Sequence, residues 1–355
     1  MEGLISTNQI QNIKDTKERL FMALNLFAEL AQEVFRDSVT VSKLDPSIRG
    51  KVVTIIGGNG LGKTRNAVKF PNPIVIPLEK GMNAVNGVLT LKTSTYADVK
   101  RHVRTVTTNR KFLDMLKQEP ITIIFDGLEN LALMCQKSIC AKFDVSDIAD
   151  VPHGKGWSAY KKEMHSLVTD IVSMGYTIVF IGHTVETKDG YSTFAVDDRV
   201  AKPIKDVSDI VCFLTSNGVD ENNQVIPSSA WFAETDKFFA RSRFDYMDNY
   251  LEVFSAQNLM DAIRVGIERQ IEAENAQVTD FDGQMEMYTS SFTLTFDETI
   301  TAIREQYMAL SEMDKLDTFA EVVEKHLGET PVSEAKPSQF ESLQAIYEEL
   351  AELIG

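Results

Sequence analysis

Cysteine is scarce in this chain: Cys135, Cys140 and Cys212 are the only three in 355 residues. So odd and sparse a set makes no disulfide framework, and a lone Cys-x4-Cys spacing lacks the second ligand pair of a zinc site. The five histidines form no HExxH-type cluster, so no metalloprotease signature is present. No apolar run approaches the ~20 residues of a membrane span. The polar start "MEGLISTNQ" is no signal peptide, and a cytoplasmic setting is expected. Excess positive charge is missing too, for the formal net charge is −16. That acidity is unevenly placed. Residues 256–355 hold 6 Lys and Arg against 21 Asp and Glu, leaving 30 against 31 for residues 1–255. A near-neutral body is not barred from binding an anion.

Apolar periodicity marks the elements. Residues 8–36 carry Ile10, Ile13, Leu20, Leu24, Phe27, Leu30 and Val34 near helical spacing, which predicts one amphipathic helix. Such a helix packs on its own domain or docks on a neighbouring subunit. Buried-type strands follow at "KVVTIIGG" (51–58), "PIVIPLE" (73–79), "GVLTLKTS" (87–94), "ITIIFD" (121–126) and "YTIVFIGH" (176–183). Helical patterns over 96–118 and 154–175 separate them. Three closely spaced strands over 207–215, 228–235 and 237–244 are expected to be antiparallel. The class is α/β: a mostly parallel sheet flanked by helices, with antiparallel edge strands. Beyond Phe254, helical patterns cover 256–277, 297–327 and 339–354, broken by the Gly/Pro/Ser-rich "GETPVSEAKPSQ". The expected division is an N-terminal helical extension (1–50), a core (51–255) and an acidic helical C-terminal region (256–355).

One motif carries chemistry. "GGNGLGKT", residues 57–64, fits G-x-x-x-x-G-K-[ST] between a buried strand and a helix. Gly57, Gly58, Asn59, Gly60, Leu61 and Gly62 would turn backbone N–H groups onto phosphate oxygens, with the helix N-terminus and Arg65 next to them. Lys63 would reach the β- and γ-phosphates, and Thr64 would offer its hydroxyl to Mg²⁺. Asp126, ending "ITIIFD", places a carboxylate where it can hold the same ion through water. ATP and Mg²⁺ are therefore the expected ligands. Hydrolysis needs a group that orients the attacking water. Glu79 ends a strand expected beside the cradle strand and is the first candidate, with Glu129 the second. His183 ends "YTIVFIGH" at the same sheet edge, where it could sense the γ-phosphate. In "KFFARSRFDY" (237–246), Arg241 and Arg243 lie one residue apart among aromatics, so a strand would project both from one edge.

In order and spacing, "IIGGNGLGKT", "IVIPLEKG", "ITIIFDGLENL", "GWSAYKKEMHSLVTDIVSMGYTIVFIGHTVET", "VSDIVCFL" and "FFARSRF" resemble the RecA-like P-loop ATPases encoded by phages, a group that includes single-strand-annealing recombination proteins. The resemblance covers about residues 50–250. It implies a RecA-type core, a catalytic glutamate at Glu79 and a polar sensor at His183. It also implies rings or filaments whose ATP site lies between subunits, with Arg241 and Arg243 reaching the neighbour's nucleotide. Such proteins act in phage DNA recombination or replication within a host cell. Gly127 departs from the pattern, which places a small hydroxyl residue after the strand-ending aspartate. Two DNA-binding loops are implied near 142–157, with Lys142, His153, Lys155 and Trp157, and near 184–205, with Lys188, Tyr191, Phe194, Arg199, Lys202 and Lys205. Cations mixed with aromatics suit single-stranded DNA. The acidic C-terminal region would bind a protein partner or mask the DNA surface. Two other readings remain open: a nucleotide-gated adaptor or loader without DNA chemistry of its own, and, less favoured for want of an arginine-rich lid, a P-loop small-molecule kinase.

Overall fold

The computed structural model describes residues 27, 29–35, 38–288 and 294–354. Contacts divide the chain into two compact units. One spans Ser42–Tyr288; the other takes the described residues of Met1–Val41 and of Thr289–Gly355. The helix expected over 8–36 falls mostly outside the described residues, and only 29–35 form a helical run, α1. Among the described residues no helix is long and apolar enough to cross a membrane.

The larger unit is a nine-stranded sheet with helices on both faces. In chain order its strands are β1 (Val52–Gly57), β2 (Pro73–Pro77), β3 (Leu89–Thr90), β4 (Thr122–Asp126), β5 (Thr177–Gly182), β8 (Ile210–Thr215), β9 (Ser229–Trp231), β10 (Arg241–Ser242) and β11 (Tyr250–Leu251). A separate hairpin joins β6 (Thr184–Glu186) to β7 (Ser192–Phe194). The sheet order is β11-β9-β8-β1-β5-β4-β2-β3, with β10 also pairing β8. Strands β1 to β5 of this sheet and β8 run parallel, and the edge from β9 to β11 is antiparallel. Side chains alternate faces with period two. Val52 and Ile56 therefore join one core and Val53 and Ile55 the other. The first core lies under α3 (Tyr96–Thr108), α5 (Leu128–Phe143), α6 (Lys155–Val172) and α7 (Asp198–Val207).

The helix expected over 96–118 is two helices, α3 and α4 (Arg110–Gln118). Thr107 and Thr108 turn their hydroxyls back to the Arg104 carbonyl, and the Asn109 side chain accepts from Lys111 and Phe112 to start α4. Such local bonds compete with helix propagation. The boundary expected at 255/256 also differs. Helix α8 (Ala256–Glu274) buries Leu259, Ile263 and Ile267, four residues apart, in the second core. Its apolar stripe needs the sheet, so the larger unit runs on through α9 (Phe281–Glu286) to Tyr288. In the smaller unit α10 (Phe296–Glu312), α11 (Leu316–Leu327) and α12 (Phe340–Ile354) bury Ile303, Leu310, Val322, Leu343, Ile346 and Leu350 together. Residues 294–354 hold 4 Lys and Arg against 14 Asp and Glu.

Candidate nucleotide site

The loop Gly57–Gly62 leaves β1 at the C-terminal edge of the sheet and enters the five-residue helix α2 (Lys63–Ala67). Leu61 and β8 press on its first residue: a Cβ on Gly57 would lie 2.9 Å from Leu61 Cδ1 and 3.0 Å from the Leu214 carbonyl oxygen. Only glycine passes there. With α2 so short, the loop N–H groups supply most of the positive field, in the manner of an anion-binding nest. Arg65 lies in the last turn of α2. Lys63 is 7% exposed, and its Nζ donates to the carbonyls of Gly57 at 3.0 Å and Gly58 at 2.6 Å. Burial lowers its pKa, while Glu129, Glu79 and Asp126 pull it upward. A phosphate would give the ammonium a better partner than loop carbonyls.

The acidic wall comes from other strands. Thr64 donates its hydroxyl to Asp126 Oδ1 at 2.9 Å. Asp126 is fully buried, and among the described residues its Oδ2 has no hydrogen-bond partner. Burial is the first cause that raises this carboxyl to about 6, with Glu79 adding to it, against Thr64, Lys63 and His183. A buried carboxylate oxygen without a partner costs about 1–3 kcal/mol, so the arrangement fits a cation that would satisfy it. Thr64 and Asp126 would hold Mg²⁺, directly or through water. Room is left for it: a Cβ on Gly81 would stand 3.3 Å from Asp126 Oδ2 and 3.6 Å from Glu79 Oε1.

From the sequence, strand β2 is expected beside β1, but it is not there. It lies three places away, because β5 and β4 come between. Glu79 nonetheless arrives beside Asp126, since Pro77 is in register with Asp126 and Leu78 N–H donates to the Asp126 carbonyl at 3.0 Å. Gly127, the departure from the resembled pattern, has a packing reason here. Its φ is +113°, and a Cβ on it would lie 3.2 Å from Glu79 Cγ. The strands that do flank β1 are β8 and β5, and β5 delivers His183. Glu129, in the first turn of α5, holds that residue twice: Oε1 accepts the His183 backbone N–H at 2.6 Å and Oε2 lies 3.3 Å from Nδ1. The sequence signal for this pair was slight, namely a carboxylate three residues past Asp126.

The Asp126 shift has a sign that can be measured in metal-free buffer. Its ordinary value is 3.8 and its folded value about 6, so between these the native state keeps a proton that the unfolded state has lost. This group's contribution to stability is therefore greatest below pH 4 and falls as pH rises to 6, by on the order of 3 kcal/mol. Urea midpoints from pH 4 to 7 should show the fall in the wild type. Asp126→Asn should remove that component.

A Gly-rich loop, a buried lysine, a Thr–Asp pair and a second carboxylate thus share one sheet edge. The family model described as an AAA domain matches residues 49–244. The chain belongs to the AAA domain family. Across 328 residues it is 37% identical to the SPbeta prophage-derived uncharacterized protein YorG of Bacillus subtilis (strain 168), covering 92% of this chain and all of that one. Among solved structures, an ATPase from the type III secretion system of pathogenic bacteria is 14% identical with a TM-score of 0.36, over 84% of this chain and 81% of that one. A KaiC-like protein from Pyrococcus horikoshii OT3 is 11% identical with a TM-score of 0.31, over 56% and 90%.

Within this AAA domain the two arginines stand far from the cradle. Strand β10 runs antiparallel to β8, with Arg241 opposite Val211, which is itself opposite Thr54 of β1. Arg243 lies level with the start of β1, roughly 17 Å of strand from Gly57 at about 3.3 Å per residue. Both are engaged. Arg241 donates to the Lys205 carbonyl at 3.0 Å. Arg243 donates to the Asp206 carbonyl and pairs with Asp209 at 3.2 Å. Asp209 also accepts the Val52 N–H at 2.8 Å, and burial raises its pKa. Nothing in the sequence marked Asp209.

The expected DNA-contact residues are dispersed. The segment 184–205 is a hairpin followed by α7, not a loop. Arg199 pairs with Asp197 at 2.9 Å and covers the Trp157 ring at 4.4 Å. Lys202 pairs with Asp206 at 3.0 Å. Lys205 lies over the rings of Phe194 and Phe239, and burial lowers its pKa. Phe194 is core, and Tyr191 donates its hydroxyl to Glu234. Lys155 starts α6 and Lys188 sits in the β6–β7 turn, both exposed.

Proposed function

We propose that this AAA domain protein binds Mg²⁺–ATP at the Gly57–Thr64 loop and hydrolyses it, working as an oligomer on single-stranded DNA in phage recombination or replication. The observation that carries the ATPase reading is the convergence of Lys63, Thr64, the unpartnered Asp126 oxygen and Glu79. The loop N–H groups and Lys63 bind and orient the phosphates. Glu79 takes the proton of the attacking water, and Glu129 holds His183 beside the terminal phosphate. Bound magnesium would neutralise charge on the β- and γ-phosphates. A prophage-derived relative supports the phage setting. Arg241 and Arg243 lie away from their own cradle, which supports a role toward a nucleotide held by another copy of the chain.

The experiment is ATP hydrolysis with and without single-stranded DNA, for the wild type and Lys63→Ala. DNA-stimulated turnover that the variant lacks is the expected result. Tight ATP binding without turnover would replace this reading with a nucleotide-gated adaptor. Turnover that depends on a small acceptor would replace it with a kinase.

A further inference from the structure

Helices α3 and α6 enclose a trough on the outer side of the first core. Its lining holds five cations, Lys100, Arg101, Arg104, Lys142 and Lys162, against two carboxylates, Glu163 and Asp170. This is a strong local excess in a chain of net charge −16. A neighbouring depression shares Lys162, Ser166 and Asp170 and adds Lys161 and His165, so the trough continues across α6. Lys100 pairs across it with Glu163 at 3.1 Å, and Arg101 pairs with Asp98 at 2.7 Å. Arg104, Lys142 and Lys162 enter no ion pair among the described residues and are exposed.

The trough cannot serve the nucleotide. Helix α5 begins two residues beyond Asp126 and carries Lys142 at its other end, roughly 24 Å away at 1.5 Å per residue. Like-charged side chains held together repel, and a polyanion relieves that repulsion while releasing its counterions. The cations follow helices on both walls, which suits a repeating chain of charges rather than one anion. Only Tyr96 among the lining residues is aromatic, and it is buried, so no ring is offered for base stacking.

We infer that the α3–α6 trough binds the phosphodiester backbone of nucleic acid, independently of base sequence. The inference rests on the reading that the protein works on nucleic acid, and adds a surface apart from the hairpin and α7. It also gives Lys142, assigned from the sequence to a DNA loop, a place on the trough wall. The test uses the full chain and a fluorescent oligonucleotide, single-stranded and duplex, titrated over a range of salt. Variants are Arg104→Glu/Lys142→Glu/Lys162→Glu and its milder form with Gln at the three positions, each checked for folding by circular dichroism. A second variant, Lys155→Glu/Lys188→Glu, probes the other surface. Each lost phosphate contact on a single strand should lower the slope of log affinity against log salt by about 0.7, so both trough variants should lose about 2. An unchanged slope with intact wild-type binding would overturn the trough while sparing the nucleic-acid reading. Absence of wild-type binding to either oligonucleotide would overturn both. A changed sedimentation coefficient with DNA binding intact would assign the trough to the acidic face of another copy, and so overturn it too.

Discussion

Replacing Glu79 by Gln is expected to lower ATP turnover by about 10²–10⁴-fold, the usual worth of a positioned general base, with ATP binding retained. The two glutamates at the site are not equivalent. Glu129 has one oxygen on the His183 backbone N–H and the other beside Nδ1, so it is committed to holding that residue. Glu79 lies against Gly127 and beside Asp126, where its charge helps raise the Asp126 carboxyl. Glu129→Gln keeps the shape and one acceptor oxygen, so its loss should be much smaller. Steady-state hydrolysis, with affinity from a fluorescent ATP analogue, separates the two. If Glu129→Gln stops turnover and Glu79→Gln does not, the roles are reversed. A side chain at position 127 should act like a weaker Glu79 variant, because its Cβ would displace Glu79 and the backbone there is left-handed.

The arginine pair should separate in the same way. Among the described residues Arg241 bonds only a carbonyl, so Arg241→Ala should leave the fold intact. A cation supplied in trans to a transferring phosphate accelerates the reaction by roughly 10³–10⁵, and Arg241→Ala should lose turnover on that scale. Arg243 instead braces Asp209, a half-buried carboxylate that also holds the start of β1. Arg243→Ala should cost about 1–3 kcal/mol of stability by leaving that carboxylate short of a partner. Mixing Arg241→Ala chains with Lys63→Ala chains is the decisive measurement. Assemblies that share interfaces would pair an intact cradle with an intact arginine and recover activity. Mixed assemblies without recovery would leave both arginines as braces of their own sheet.

Much of the candidate site was legible because its signals are local. A buried strand, a Gly-rich turn and Lys-Thr occupy fourteen consecutive residues, and each is encoded by its own periodicity or turn chemistry. Asp126, Glu79 and His183 were legible as polar ends of apolar runs, since parallel strands bring such ends to one edge. Which strands are neighbours was not legible. Pairing is a long-range choice, and it placed β5 rather than β2 beside β1. The same limit hid Asp209 as the partner of Arg243 and Glu129 as the holder of His183, each more than 30 residues distant along the chain. It also misread the cations of α7. From sequence alone, Arg199, Lys202 and Lys205 are positive charges near aromatics; in the fold each already has a carboxylate or a ring within its own domain. The cations of α3 and α6 gave the opposite result, scattered over some sixty residues in the chain and gathered by helix packing into one trough. Composition and short-range pattern therefore specified the Gly-rich loop, its lysine and the strand-ending carboxylates. Only long-range packing decided which charges are neutralised within the chain and which remain for a ligand, because that depends on partners no sequence window contains.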